Sequence, residues 1–221
     1  MKTLDRNPRD RETAFTGRIV AGVSHEFMNV LATIRESSGL MEDLLALDET
    51  PFPSREKVKR SIGIIQAQVR RGMDVGKGLN KFAHSMDDTK TDLVINDVLD
   101  QLAFLMDRFV RMKGIQLTVK RFESPVRIQT DPFRFQAVLN ACIEHCLAHT
   151  EKGGLITLQG RMRKEDRVIQ CLGHPFSGNV GETENLIEED PDLKMLLSSV
   201  GASLSVLNSE GVIGFEMVLP Q

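Results

Sequence analysis

The chain has 221 residues, which is enough for one large domain or two small ones with a buried core. Its 41% hydrophobic and 27% charged residues are ordinary for a globular protein, and its net charge of −3 gives no general attraction for nucleic acid or an anionic membrane. No apolar run reaches the roughly 18 residues of a membrane span, and the three cysteines are an odd number without disulfide spacing, so we expect a reduced, cytoplasmic protein with no membrane insertion and no nucleic-acid partner.

The first part of the chain reads as a polar tail followed by a long helix. Residues 1–16 mix both charges and lack the apolar core of a signal peptide. Residues 17–47 carry apolar side chains every seven positions, in two rows three positions apart, which is the a/d pattern of a coiled coil or helical bundle. The rows are Val20, Phe27, Ile34 and Met41, and Val23, Val30 and Leu44, with Ser37 interrupting the second. Two prolines between Asp48 and Ser54 then end the helix.

A second long helix is predicted from an N-cap at Ser54 to about Phe82. Its apolar face carries Val58, Ile62, Ile65 and Val69. Two long helices joined by a short turn form an antiparallel hairpin, which cannot bury its apolar stripe alone. We therefore predict that residues 17–84 pair with a second copy of the chain in a dimeric four-helix bundle.

Residues 85–92 form a polar linker, and the period of the apolar residues changes after it. Residues 93–221 alternate helices and strands with hairpin-length connections, which predicts an α/β sandwich with its helices on one face. Helices are expected over 93–113, 132–149 and 191–200, the last two opened by Asp131–Pro132 and Asp190–Pro191. Strands are expected over 115–120, 126–129, 153–163, 166–172, 202–208 and 212–220.

The run HEFMN at residues 25–29 is the first candidate site. A zinc protease would need a second histidine four residues after His25, where this chain has Asn29, so that possibility is set aside. The heptad phase places His25 on the outer face of the hairpin. There a neutral imidazole can accept a phosphoryl group, and the adjacent carboxylate of Glu26 can hold the proton on the other ring nitrogen. The alternative, an ordinary exposed histidine on a helix surface, stays open.

Three stretches of the chain together resemble the sensor histidine kinases of two-component systems, over residues 17–220. GRIVAGVSHEFMNVLATI resembles the phosphoacceptor helix of their dimerisation and histidine-phosphotransfer domain. TDPFRFQAVLNACIEHCLAHTEKGGLITL and GASLSVLNSEGVIGFEMVLP resemble the beginning and the closing hairpin of their ATP-binding domain. The resemblance implies that His25 is the phosphoacceptor, Glu26 its acid/base neighbour and Asn29 a polar positioning residue. Val30 departs from the proline that often follows this asparagine in the family.

The residues that bind nucleotide in that family are missing here. Its two asparagines on the ATP-binding helix correspond to Ala141 and His145, and an imidazole is a poor ligand for Mg²⁺. The segment of its Asp-x-Gly-x-Gly box reads CLGHPFSGN, which contains Gly173 but no acid. Residues 181–192, where the family has a glycine-rich lid, hold six carboxylates and no basic residue, and would repel a triphosphate. We therefore expect no ATP binding in the usual manner, which argues against autokinase activity.

Three further patterns have competing explanations. Cys142, His145, Cys146 and His149 could be soft metal ligands, but the two cysteines continue an apolar row, which favours core packing over a metal. Residues 54–84 hold eight basic and two acidic residues, which form either a solvated helix face or a surface that attracts an acidic receiver domain. A literal Asp-x-Gly-x-Gly at residues 74–78 lies in the second helix, and we interpret it as chance, with glycines that loosen or kink that helix.

Three functions are compatible with these observations. In the first, a degenerate kinase scaffold is a histidine phosphotransfer protein, in which His25 takes a phosphoryl group from the aspartate of a response-regulator receiver domain and passes it on. The receiver would supply Mg²⁺, and this chain would hold no cofactor. In the second, the chain is a divergent but active ATP-dependent sensor histidine kinase core. In the third, it is a non-catalytic, dimeric interaction module that never carries phosphate.

Overall fold

The computed structural model of the protein describes residues 9–46, 55–87, 89–177, 180–209 and 212–220. The chain divides into two compact units, a helical hairpin over residues 20–81 and a second unit that joins residues up to 19 to those from 82 onward. The two long helices are α1, Arg9–Ala46, and α2, Arg55–His84. The predicted N-cap at Ser54 and the prolines before it lie outside the described residues.

Helix α1 begins at Arg9 rather than at residue 17, so the predicted tail over residues 1–16 is wrong for residues 9–16. The physical reason is the pair Phe15 and Ile19, whose side chains are both buried. They lie four residues apart and continue the apolar face of the helix toward its N-terminus. Among the surrounding charges, a single phenylalanine was too weak a signal to extend the helix from sequence.

The two apolar rows of α1 are buried unequally. Val23, Val30 and Ser37 of one row are buried, whereas Val20 of the other row is exposed and Phe27 is half-buried. Helix α2 of the same chain therefore covers one side of the predicted seam and leaves the other side open. The hairpin also exposes these apolar side chains: Met28, Leu31 and Leu40 on α1, and Ile62, Ile64, Val69 and Met73 on α2.

The face that α2 buries is only partly the predicted one. Ser61 and Val75 are buried, whereas two of the four predicted residues are half-buried and the other two, Ile62 and Val69, are exposed. A small side chain such as that of Ser61 lets two helices approach closely.

Gly72 and Gly76 of α2 have the same role. A Cβ at Gly72 would lie 3.3 Å from Cγ1 of Val30, and one at Gly76 would lie 3.6 Å from Cζ of Phe27. Helix α2 continues through both glycines as one element. Gly72 therefore lets the side chain of Val30 approach α2 closely. That the glycines of residues 74–78 loosen or kink the helix stays a prediction.

The second unit contains eleven further helices and strands in the described ranges. In chain order they are β1 (Thr91–Val94), α3 (Ile95–Met112), β2 (Gln116–Lys120), β3 (Arg127–Thr130), α4 (Pro132–His149), β4 (Thr150–Arg163), β5 (Asp166–Phe176), α5 (Val180–Glu189), α6 (Pro191–Val200), β6 (Ser203–Ser209) and β7 (Val212–Leu219). Five strands form one sheet in the order β2-β4-β5-β7-β6. Strands β2 and β4 are parallel, the other neighbours are antiparallel, and β1 pairs with β3 separately.

Two of these elements were not predicted. Strand β1 lies where the sequence indicated a linker and the first turn of a helix, and it places Leu93 opposite Ile128 of β3. Helix α5 lies in the acidic stretch that was expected to replace the kinase lid. A strand of four residues is identified by its pairing partner, and that partner is distant in sequence.

The core of this unit lies between the sheet and the helices α3, α4 and α6, which pack on one of its faces. Phe135, Leu139 and Ile143 of α4 are fully buried, as are Ile156 and Leu158 of β4. The predicted two-layer arrangement is therefore present. None of the helices in the described ranges is long and apolar enough to cross a membrane.

A charged network ties the strands together around Glu216 of β7. Its carboxylate accepts a hydrogen bond from Gln170 of β5 at 2.9 Å and lies 3.2 Å from Arg161 and 2.5 Å from Arg163 of β4. Burial by itself would raise the pKa of Glu216, but the hydrogen bonds from Gln170 and the two arginines outweigh burial and hold the pKa below its usual value. The carboxylate therefore stays ionised and links three neighbouring strands.

Candidate functional site

The predicted phosphoacceptor motif lies on α1, within the hairpin unit. His25 and Asn29 are both exposed and lie one helical turn apart on one face, as the heptad phase predicts. The backbone carbonyl of Asn29 accepts a hydrogen bond from Oγ1 of Thr33 at 3.0 Å. The imidazole of His25 is thus open to an approaching group, with an amide side chain beside it.

Glu26 follows His25 in the chain but faces α2 instead of solvent. Its side chain is 14% exposed, and its Oε1 lies 2.5 Å from Nη2 of Arg71 on α2. The residue that the resemblance implies as an acid/base neighbour therefore engages its carboxylate in an ion pair with the second helix. Sequence reasoning did not single out Arg71. The basic composition of the helix was visible, but not which of its cations meets α1.

The other basic residues of α2 point mostly into solvent. These exposed residues are Lys57, Lys59, Arg60, Arg70, Lys77 and Lys81. The two acids of the helix are paired within it, since Glu56 lies 3.1 Å from Lys59 and Asp74 lies 3.9 Å from Lys77. Positive charge therefore remains in excess along α2.

In the second unit, α4 begins as predicted and carries the first two of the three positions that the resemblance relates to nucleotide binding. Oδ1 of Asp131 accepts a hydrogen bond from the backbone N–H of Arg134 at 2.9 Å, and Pro132 occupies the first helical position. Ala141, which stands where the family has its first asparagine, is 2% exposed. A residue so completely buried presents no surface to a nucleotide.

His145, which stands where the family has its second asparagine, is covered by α5. Its Nε2 lies 3.0 Å from Oγ1 of Thr183, a residue that is 0% exposed. The ring also packs against His149 at 4.6 Å and Phe215 at 5.3 Å between centroids. The half-buried ring of His145 is therefore engaged by side chains of the protein itself.

Gly173 of β5 is the third of these positions and lies in the segment that corresponds to the family's Asp-x-Gly-x-Gly box. A Cβ there would lie 2.5 Å from Oγ1 of Thr150 and 3.1 Å from Cδ2 of Phe176. The position has no room for a side chain, so a carboxylate that reads adenine could not stand there without displacing its neighbours.

The acidic stretch forms helix α5 and the beginning of α6. Asp190 caps α6, since its Oδ1 accepts a hydrogen bond from the backbone N–H of Leu193 at 2.9 Å. Its other carboxylate oxygen pairs with Arg11 of α1. Glu184, Glu188 and Glu189 are exposed. Asp190 is thus engaged in a helix cap and an ion pair, while the three glutamates lie at the surface.

The N-terminal turns of α1, residues 11–19, belong to the same compact unit as α4. Oε1 of Glu12 lies 3.1 Å from Nε of Arg134, and Nη1 of Arg18 lies 2.6 Å from Oε1 of Glu144. Arg134 and Glu144 are ten positions apart on α4, so the two ion pairs connect α1 to points near both ends of α4. This segment was missed from sequence because its ion pairs with α4 join residues that are distant in the chain.

An aromatic cluster reinforces the same contact. The ring of Phe15 lies 5.3 Å from that of Phe82 and 5.7 Å from that of Phe133, and the last two lie 5.9 Å apart. Phe82 comes from the last turns of α2 and Phe133 from the first turn of α4. Three segments that are far apart in sequence therefore meet at one apolar point.

The cysteines pack as apolar residues. Cys142, Cys146 and Cys171 are free and buried, and the sulfurs of Cys146 and Cys171 lie 3.7 Å apart. Burial raises the pKa of the Cys142 thiol far above its usual value, and the contact with Cys146 together with burial does the same for Cys171. No group of three or more His, Cys, Asp or Glu residues is placed to hold a metal ion among the described residues. These facts fit the core-packing alternative.

No protein-family model matches the chain. Among curated proteins it is 25% identical over 167 residues to the alginate biosynthesis sensor protein KinB of Pseudomonas aeruginosa, covering 72% of this chain and 27% of that protein. It is 27% identical over 167 residues to the sensor histidine kinase ZraS of Salmonella typhi, covering 75% of this chain and 34% of that protein. The chain thus spans about a third or less of the length of these relatives.

Solved structures share the fold. Histidine kinase ThkA in complex with response regulator protein TrrA is similar with a TM-score of 0.52 at 15% identity, covering 98% of this chain and 64% of that chain. The catalytic domain of ThkA is similar with a TM-score of 0.52 at 14% identity, covering 60% and 96%. Histidine kinase AdeS of Acinetobacter baumannii is similar with a TM-score of 0.50 at 9% identity, covering 86% and 96%. The predicted order of a helical hairpin followed by a mixed α/β domain is confirmed.

Proposed function

We propose that this chain, which is built as a two-component histidine kinase core, works as a histidine phosphotransfer protein without using ATP of its own. His25 accepts a phosphoryl group from the phosphorylated aspartate of a response-regulator receiver domain and returns it to a receiver. The observation that carries the proposal is that the protein's own packing occupies the three positions that correspond to nucleotide-binding residues of the family. Ala141 is 2% exposed, His145 is bonded to Thr183, and Gly173 has no room for a side chain.

The reaction needs little from this chain except an accessible imidazole. A neutral ring nitrogen of His25 attacks phosphorus, the bond from phosphorus to the aspartyl oxygen breaks, and the aspartate leaves as a carboxylate. The proton stays on the other ring nitrogen, so charge is conserved and no further acid or base is required. Mg²⁺ bound by the receiver would neutralise the charge on the phosphoryl oxygens. The exposed position of His25 on α1 supports this role.

The partner class is supported by charge and by fold. The exposed basic residues of α2 suit a receiver domain, whose aspartates cluster around its phosphorylation site. ThkA, which shares this fold, forms a complex with a response regulator protein. We therefore place the receiver-binding surface on the hairpin, beside His25.

We also propose that the hairpin forms a homodimer, because the apolar residues that it exposes would be covered by a second copy in a four-helix bundle. Light scattering at micromolar concentration is expected to return twice the 24.7 kDa mass of one chain. Leu31→Glu, which puts a charge on the open face of α1, is expected to shift the mass to that of a monomer. Met112→Glu, at an exposed apolar residue of α3, is the matched control and should remain dimeric. A monomer mass for the unchanged chain would contradict the proposal.

A second candidate function is an ATP-dependent sensor histidine kinase core. The observation in its favour is the description of ZraS, a curated relative at 27% identity, as a sensor histidine kinase. In that case the α/β unit would have to move its own side chains away from His145 and Ala141 to admit nucleotide.

A comparison of phosphoryl donors tests the proposal. The full chain is incubated separately with labelled ATP and Mg²⁺, and with a panel of receiver domains phosphorylated on aspartate by labelled acetyl phosphate. We expect label from a receiver and none from ATP. His25→Gln is expected to abolish labelling, because no other residue of the motif offers an imidazole to the receiver. His84→Gln, at an exposed histidine of α2, should label as the unchanged chain does.

Each other outcome of this comparison selects an alternative. Label from ATP would overturn the proposal and establish the kinase. Absence of label from both donors would leave a non-catalytic interaction module. Label that survives in His25→Gln would place the phosphoacceptor elsewhere in the chain.

A further inference from the structure

We propose that Arg71 is a positioning residue for the chemistry at His25, acting through Glu26: its guanidinium neutralises the carboxylate next to the phosphoacceptor and so permits an anionic phosphoryl donor to approach. This inference rests on the proposed function, since it explains how His25 becomes a good acceptor. It gives a role to the ion pair of Glu26 and Arg71, which forms only when α1 and α2 pack together.

The geometry of the pair is specific. Nη2 of Arg71 lies 2.5 Å from Oε1 of Glu26, and the Glu26 side chain is 14% exposed while that of Arg71 is 47% exposed. A mostly buried carboxylate with a charged partner at this distance is held more firmly than a pair in open solvent. Among the described ion pairs, this is the one in which a basic residue of α2 meets α1 within the hairpin unit.

The packing beside the pair sets its distance. Phe27, the residue after Glu26, lies over Gly76, and Val30 lies over Gly72, which directly follows Arg71. The two helices approach closely at Gly72, where a Cβ would lie 3.3 Å from Cγ1 of Val30, and Gly76 keeps ordinary contact with Phe27. Close approach brings the guanidinium of Arg71 alongside the part of α1 that carries Glu26. The glycines and the arginine thus act together.

The electrostatic need for such a partner follows from the neighbourhood of His25. The Cα atoms of His25 and Glu26 are adjacent, about 3.8 Å apart. A bare carboxylate so close would repel the phosphoryl group of any donor, which carries negative charge itself. Coulomb's law at a separation of roughly 8 Å near a protein surface corresponds to an effect of about 3- to 30-fold on the rate. With Arg71 in place, the pair presents no net charge to the donor.

A small-molecule donor isolates this effect from docking of a receiver. Phosphoramidate phosphorylates histidine directly: a neutral ring nitrogen attacks phosphorus of the donor in its N-protonated form, the phosphorus–nitrogen bond breaks, and ammonia leaves with the proton that its nitrogen already carried. The rate of labelling at His25 is measured on the full chain by mass spectrometry of its peptides. Labelling of His84, which is exposed on α2 and distant from Arg71 in sequence, serves as an internal reference.

Five variants define the expected result. Arg71→Gln should label His25 about 3- to 30-fold more slowly than the unchanged chain. Arg71→Lys should recover most of the rate, because the charge is kept. Glu26→Gln is the background for a double variant: adding Arg71→Gln to it should change the rate less than twofold, because no carboxylate remains to be neutralised. Arg35→Gln loses the same charge about 15 Å along α1 and should change the rate less than twofold.

The proposal is overturned if Arg71→Gln labels at the unchanged rate, or if it slows labelling as much in the Glu26→Gln background as in the unchanged chain. A purely structural role would lower the melting temperature and would not be relieved by Glu26→Gln. The proposed function is judged separately by the receiver and ATP experiment. If the chain takes label from neither of those donors, the phosphoramidate rates still decide the role of Arg71.

Discussion

Phe82→Ala is expected to lower the free energy of unfolding by about 3–5 kcal/mol, the usual cost of removing a buried phenylalanine. Phe82 is 1% exposed, and its ring lies 5.3 Å from that of Phe15 in an edge-to-face arrangement and 5.9 Å from that of Phe133. Its removal leaves a cavity and also breaks two aromatic contacts. Because three separate segments meet at this ring, they are expected to loosen together.

Urea denaturation followed by far-ultraviolet circular dichroism measures the loss, since the chain has neither Trp nor Tyr for fluorescence. Phe104→Ala is the matched control, because Phe104 is 46% exposed on α3 and its truncation should cost less than about 1 kcal/mol. Hydrogen exchange should speed up over residues 11–19 in Phe82→Ala. Equal stability of the two variants would show that the aromatic cluster does not hold this part of the protein together.

Ala141→Asn, which restores the first asparagine of the kinase family, is expected to destabilise the protein by about 2–4 kcal/mol and to confer no affinity for ATP. The side chain of Ala141 is buried on α4, so an added amide would be overpacked and would lose its hydrogen bonds to water. The prediction tests whether this position borders a nucleotide site or the interior of the protein.

Ala148→Asn is the matched control, since Ala148 lies on the same helix and is exposed. It should cost only about 0.5–1 kcal/mol, through helix propensity. Urea denaturation gives both stabilities, and calorimetric titration with ATP and Mg²⁺ gives the affinity. If Ala141→Asn is as stable as Ala148→Asn and binds ATP, the position opens to a ligand, and the kinase candidate gains the stronger support.

Local patterns predicted most of the elements. The heptad rows of α1 place His25 on an exposed face, and the Asp-Pro pairs at residues 131 and 190 open α4 and α6 with the expected caps. These features succeed because each depends on side chains within a few residues of one another. The family resemblance, carried by motifs at both ends of the chain, is confirmed by the curated relatives and the solved structures.

Other features could not be predicted locally. The face that α2 buries depends on where its own small residues meet the side chains of α1. Strand β1 depends on pairing with β3. The helical turns over residues 9–16 depend on Phe82 and Phe133, which lie far along the chain. In each case the decisive energy comes from a contact of long sequence separation, which no window of neighbouring residues contains.

The sequence by itself determined that this is a hairpin followed by an α/β domain, that an exposed histidine lies in a His-Glu-x-x-Asn motif, and that the family's nucleotide residues are replaced. Only the tertiary structure decided what surrounds these residues. Ala141 is buried, a Cβ at Gly173 would crowd Thr150, the imidazole of His145 is hydrogen-bonded to Thr183, and Glu26 is paired with Arg71. The reason is physical: residue types state which interactions are possible, whereas burial and distance select which of them form.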